Sequence, residues 1–277
     1  MDFDDDAAFA GNRLEEQVTP FLRMAQGLSP EVNPGKGEHI PGLTIGSIFN
    51  TVTKEFYPGK DGLDAIACWK DYHYGKWVPR DLGGGYRGSL SPNHQLVLDT
   101  MNRMAEIYGD IKSARYHMPR YRDGAWTADP PYNEETNEPI ELVETGQIYV
   151  IYGPPPLTLA NARRAIISCT STALKSYALW NSTHNNMQWQ QSNGSRKAAM
   201  IYSYLWRITT FQDHNKKGEF FNWKFVLSPP GASYRDALVD RRELIYAEAK
   251  KFHDQAENKE VIVAEDQQAQ PDGDMPF

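Results

Sequence analysis

The chain has 277 residues, 40% hydrophobic and 12% aromatic, enough to bury one large core or one domain with insertions. No run approaches the roughly 18 apolar residues of a membrane span, the acidic start Met1-Asp2-Phe3-Asp4-Asp5-Asp6 is unlike a secretory signal, and two cysteines, Cys68 and Cys169, exclude a disulfide framework. The net charge of −7 is unevenly placed: residues 1–16 carry six acids against Arg13, residues 254–277 carry seven against Lys259, and the body 17–253 is left at +4.

Residues 1–12 read as an acidic, disordered N-terminus, and apolar spacing through Leu14, Val18, Phe21, Leu22 and Ala25 predicts a helical segment within 13–34, with Pro20 in a first turn or at a break. Strand-like stretches follow over Leu43–Val52, Ala65–Tyr74, Gln147–Tyr152, Arg164–Thr170, Ile201–Phe211 and Glu219–Leu227, most of them bounded by Gly, Pro, Asn or Asp. The best hairpin joins Met200–Thr210 to Phe220–Leu227 through the polar run from Gln212 to Gly218. Two turn-rich insertions lie at Gly83–Pro92 and Gly124–Pro139. A helix is plausible over Leu174–Trp180, whereas Ala160–Arg164 is too short to form one. Tyr234–Glu257, rich in Ala, Leu, Glu, Lys and Arg, predicts a long helix. Residues 258–277 read as an acidic, disordered tail that builds no core. The fold class is therefore mainly β (α+β), with the strands at 35–230 and helical additions on both sides.

Single-strand binding without sequence preference needs aromatic faces for bases and cations along the phosphates. Three segments interleave them. The densest holds Trp69, Lys70, Tyr72, Tyr74, Lys76, Trp77 and Arg80, with Arg87 close behind. In a strand, Lys70, Tyr72 and Tyr74 share one face and Trp69, Asp71 and His73 the other, so that one face can meet a strand while its opposite packs. The second runs through Arg115, Tyr116, Arg120, Tyr121 and Arg122. The third is the hairpin, with Tyr202, Tyr204 and Trp206 in register, Arg207 opposite, and Lys216, Lys217 and Lys224 near the turn. Lys175 is a further candidate contact. Aromatics at strand spacing also serve as core, and the cations beside them as its cover.

The last residues, Asp272-Gly273-Asp274-Met275-Pro276-Phe277, resemble the docking tip of bacterial-type single-stranded DNA-binding proteins. That resemblance implies a phenylalanine ring in a partner's apolar pocket and a terminal carboxylate on a basic side chain. Asp272, Asp274, Met275, Pro276 and Phe277 would then recruit replication, recombination or repair proteins. The Asp2-to-Phe9 segment echoes the tip by composition without the free carboxylate. The body from Ile40-Pro41-Gly42 through Phe49–Glu55, Trp77–Gly85, Ala165–Lys175, Trp180-Asn181-Ser182, Tyr204–Thr210 and Phe221-Asn222-Trp223 resembles bacteriophage single-stranded DNA-binding proteins. That family implies an OB-fold, a five-stranded barrel with long insertions holding single-stranded DNA across its strand face, in the host cytoplasm. The tip departs from the family pattern, its two aspartates being split by glycine.

Other chemistry lacks its context. Gly83-Gly84-Gly85-Tyr86-Arg87-Gly88 spells G-x-G-x-x-G without a preceding apolar strand or a helix to open, so it does not predict a dinucleotide site. The seven histidines offer no pair at i, i+4, and Asp61, Asp64 and Asp71 are only a loose carboxylate group. No cofactor, metal or catalytic residue is expected, and Cys68 and Cys169 read as small buried hydrophobes. Single-stranded DNA is the expected partner, with no membrane, and homo-oligomer formation is left open. The rival readings are a phage adaptor that docks on host replication or transcription machinery without gripping DNA, and a DNA-processing nuclease.

Overall fold

The computed structural model describes residues 18–190, 196–215 and 218–264. These residues form a mostly β structure, a curled half-barrel sheet with four helices. In chain order the elements are β1 (Phe21–Met24), β2 (Ile48–Asn50), β3 (Phe56–Tyr57), β4 (Leu63–Val78), β5 (Gly85–Leu90), α1 (Gln95–Tyr108), α2 (Ile111–Tyr116), β6 (Tyr121–Arg122), β7 (Ala125–Trp126), β8 (Glu141–Gly153), β9 (Arg163–Thr170), α3 (Leu174–Asn185), β10 (Gln188–Gln190), β11 (Arg196–Ala198), β12 (Leu205–Asn215), β13 (Gly218–Leu227) and α4 (Leu244–Glu257). The main sheet has nine strands in the order β13-β12-β4-β8-β9-β1-β2-β3, with β5 beside β4. It is larger than the five-stranded barrel that the family resemblance implied.

β4 organises the sheet. It pairs with β8 from Asp64 opposite Gly153 to Trp77 opposite Glu141, with a bulge between Ala67 and Trp69. Its other edge is shared: β12 takes Leu63–Ile66 and β5 takes Tyr74–Val78. The ends of the curl meet through side chains. Gln26 Nε2 donates to the Phe221 carbonyl at 2.9 Å, and the Phe221 N–H donates to Gln26 Oε1 at 2.9 Å. Thr210 Oγ1 donates to the Gly46 carbonyl at 2.5 Å beside them.

Helix α3 contacts β8, β9 and β13 together and so lies within the curl. Its inward face is Tyr177, Trp180 and His184, spaced for one side of a helix. Trp180 meets Trp206 at 6.0 Å and Phe225 at 6.2 Å between ring centroids. A Cβ on Gly146 would stand 2.6–2.8 Å from the Tyr177 ring carbons, so glycine there sets how closely α3 seats. On the opposite sheet face α4 buries Ala249 and Phe252, and His253 Nδ1 lies 2.7 Å from the Cys68 carbonyl oxygen.

Three expectations need correction. Where a helix was expected within 13–34, the described part holds strand β1, parallel to β9 and antiparallel to β2. Burial of Phe21, Leu22 and Ala25 keeps a helix-like spacing, and it is the pairing with β9 and β2 that makes these residues a strand. The long terminal helix begins only at Leu244. Upstream, the backbone is held in turns: Ser233 Oγ donates to Asp236 at 2.7 Å, Asp240 binds Arg242, and Leu205 N–H donates to the Ala237 carbonyl at 2.8 Å. The tail beginning at 258 is paired over its first residues, since Thr19 N–H donates to Ile262 O at 2.7 Å and Ala264 N–H to Thr19 O at 3.0 Å. Residues 1–17 and the tip 272–277 lie outside the described residues, as do Lys216 and Lys217.

Candidate nucleic-acid interface

The strand alternation of β4 puts Lys70, Tyr72, Tyr74 and Lys76 on one face. Two helical elements cover that face from either end. At the far end α1 and α2, joined by a left-handed Gly109 (φ +91°), pack Val97 and Met104 inward and enclose Tyr74 with Val78, Met118, Ile140 and Leu142. Asp110 caps α2 by accepting from Ser113 N–H at 2.8 Å, which fixes the short helix that carries Lys112, Arg115 and Tyr116. At the near end stands α3. Between α1, α2 and the β4 face an open cavity of about 640 Å³ is lined by Tyr72, Tyr74, Pro92, Met101, Ile111, Lys112, Arg115 and Tyr116.

Tyr72 is the floor of this groove. It is half-buried, stacks on Tyr177 at 6.3 Å and 23°, and lies under the Arg115 guanidinium. Arg115 Nη2 donates to the Tyr72 hydroxyl at 2.5 Å, and Arg115 Nε donates to both carboxylate oxygens of Glu144 at 2.7 Å. Glu144 is mostly buried, and burial raises its carboxyl to about 7 despite the guanidinium beside it. Tyr116 projects from α2 with 75% of its surface exposed. The groove can therefore offer an aromatic floor, an aromatic wall and two cations.

A second polar group lies one strand repeat away. Lys70 Nζ donates to Asn181 Oδ1 at 2.6 Å and to Asn185 Oδ1 at 2.8 Å, both on α3. His184 sits behind them, 6% exposed, with Nδ1 unpartnered; burial and the nearby Lys70 charge hold it down at about 4.

Not every candidate contact is available to a strand. Tyr74, Trp77, Tyr204 and Trp206 are 2–5% exposed and belong to the core, so none presents a ring face to a base. Trp69 is half-buried on the opposite sheet face against His253, at 5.3 Å. Arg120 donates to Leu142 O at 2.8 Å, and Arg122 binds the buried Glu141 at 3.1 Å, so both brace the β6–β7 hairpin. Arg87 is paired with Glu138 at 3.1 Å. Lys76 is partly exposed, and Arg80 and Lys175 are exposed. Lys70, Tyr72 and Arg115 are the predicted residues that come together. Lys112, Glu144, Asn181 and Asn185 were missed, and Tyr116 was noted only as a neighbour of Arg115. The α1 cap His94 and terminator Gly109, bracketing apolar Leu96, Val97, Met101 and Met104, were the overlooked signal for the helices that build the groove.

The other chemistries find little support in the arrangement. Cys68 and Cys169 are fully buried; burial pushes the Cys169 thiol up to about 12 and raises Cys68 further, which disfavours the thiolate. Asp64 is committed to Arg207 at 2.8 Å and Ser228 at 2.6 Å, and Asp71 to His73 at 2.7 Å. Among the described residues, His253, Asp254 and Glu257 bring potential ligand atoms within 4.8 Å of one another on α4. No described helix is long and apolar enough to cross a membrane.

A family model described as Pam3 phage gp34-like protein matches residues 1–262 of the chain. No curated protein and no solved structure matches it.

Proposed function

The chain belongs to the Pam3 phage gp34-like family, and on that premise we propose that it is a single-stranded DNA-binding protein of phage replication, recombination or repair. The observation that carries this reading is an open groove that sets the exposed Tyr116 ring and the partly buried Tyr72 ring beside Lys112 and Arg115, with Lys70 two residues before Tyr72 on the same strand face. A base stacks on an exposed ring at roughly 1–3 kcal/mol, a role that falls to Tyr116 because Tyr72 is already faced by Tyr177 and Arg115, and the nearby cations suit the phosphates that precede and follow the base. Lys112 supplies a further cation on the groove wall. The curled sheet serves as an OB-like core in this reading, with α1, α2 and α3 as its binding walls. Binding rather than catalysis is the activity, and no cofactor is required.

The acidic residues after Ala264, ending in Asp272, Asp274, Met275, Pro276 and Phe277, act as a competing anion for the empty groove and as the docking tip for partner proteins. Because residues 261–264 are tied to Thr19, the segment to remove is 265–277.

Anisotropy of a labelled oligo-dT at two salt concentrations tests the reading. Binding that weakens steeply with salt is expected, and Lys112→Ala should flatten the log–log salt slope by about 0.7, the share of one phosphate on a single strand. Deletion of 265–277 should tighten binding at low salt. Absence of binding at low salt would overturn the reading in favour of an adaptor, and shortened strands in Mg²⁺ would favour a nuclease. Tryptophan quenching is a poor probe here, because no tryptophan lines the groove among the described residues.

A further inference from the structure

Lys70 donates to two neutral amides and to no carboxylate among the described residues. We infer that Lys70, Asn181 and Asn185 form a phosphate subsite for a polynucleotide backbone, one strand repeat from the Tyr72 ring. The inference rests on the single-strand-binding reading and assigns roles to two residues on α3.

The chemistry follows from what each group can do. An ammonium only donates, so each amide that faces it must present its oxygen. The two Nδ2 groups are then not engaged by Lys70, and among the described residues no acceptor takes the four N–H bonds they carry. Lys70 adds a charge that no described carboxylate neutralises. His184 adds none near neutral pH, since it is buried and uncharged. Amide donors without a recorded acceptor beside a cation favour anionic oxygens over base amino groups. Its position also fits a chain. Lys70 and Tyr72 are two residues apart on one face of β4, about 6.6 Å along the strand, while Arg115 lies on the other side of the tyrosine. Cation, ring and cation thus repeat on the scale of a nucleotide step. Asn181 and Asn185 are one helical turn apart, so a single rigid helix sets their spacing.

The decisive variant is the double substitution Asn181→Asp with Asn185→Asp. It keeps an oxygen facing Lys70 and converts the amide donors into acceptors, so the Lys70 contact survives while the subsite turns acidic. Oligo-dT affinity should fall at least tenfold with thermal melting unchanged. Equal affinity in the folded variant overturns the subsite. A second measurement does not depend on DNA: side-chain amide ¹⁵N–¹H resonances of Asn181 and Asn185 should shift on titration with tripolyphosphate, and static resonances overturn the proposal. If tripolyphosphate moves these amides while oligo-dT fails to bind the native protein, the single-strand reading fails and the anion site stands.

Discussion

Glu144 holds Arg115 along one edge of its guanidinium, through Nε and Nη2, while the Tyr72 hydroxyl accepts a further bond from Nη2. The carboxylate thus occupies the donor pair that a phosphate would use. Glu144→Gln should free that edge and raise oligo-dT affinity several-fold. In the native protein, affinity at pH 6 should exceed that at pH 8, because the carboxyl takes up a proton near 7 and releases Arg115. The folded value is raised, so stability carried by the neutral acid is complete below about 4.5 and is lost as the pH rises to about 7. Binding isotherms across pH check the point: a pH dependence unaltered in the glutamine variant would contradict it.

Trp206, a predicted DNA contact, and Tyr116, noted only beside Arg115, have opposite consequences. Tyr116→Ala removes an exposed ring, and a lost stack of about 1–3 kcal/mol weakens oligo-dT binding by about 5- to 150-fold without lowering the melting temperature. Trp206→Ala empties a core position beside Trp180 and should cost about 3–5 kcal/mol of folding stability. Denaturant titration and anisotropy on both variants separate the roles.

His184 makes the fold acid-sensitive. Its folded value, near 4, lies below the ordinary 6.5, so the stability it contributes is present above 6.5 and is lost as the pH falls toward 4. His184→Phe keeps a ring against Trp180 and removes the titration. Urea midpoints measured from pH 7 to pH 4 should fall less in the phenylalanine variant; parallel curves would rule out this assignment.

Gln26→Ala should cost about 1–2 kcal/mol, because it strips a donor and an acceptor from the Phe221 backbone at the edge of β13. Gln26→Glu retains the acceptor alone and should fall between the two. Equal stability of all three chains in guanidinium would show that solvent replaces the amide freely.

The strands were legible because apolar and aromatic runs bounded by turn residues report a buried sheet directly. Period two also placed Lys70, Tyr72 and Tyr74 on one face without any structure. What that period does not carry is the cover. Tyr74 is lost to the core because α1 lies over it, and the amphipathic spacing of α1 was overlooked. Trp206 is buried by Trp180, on a helix that precedes it in the chain. Asn181 and Asn185 acquire a role only once α3 is set across β4, a long-range contact with no local signature. The N-terminal strand misread as helix shows the same limit, since its four residues become a strand through β9 and β2.

The amide of Gln26 joins backbone 195 positions further along the chain. Strand β1 is made early and placed late: it pairs with β9, and its end of the curl is joined to the other only when β13 exists. Contacts of such sequence separation impose a large loop-closure entropy before they contribute, so the native sheet should assemble slowly. A ribosome-bound chain that stops short of Phe221 lacks the strand that seals the curl, and its hydrophobic interior is open to wrong partners until synthesis is nearly finished.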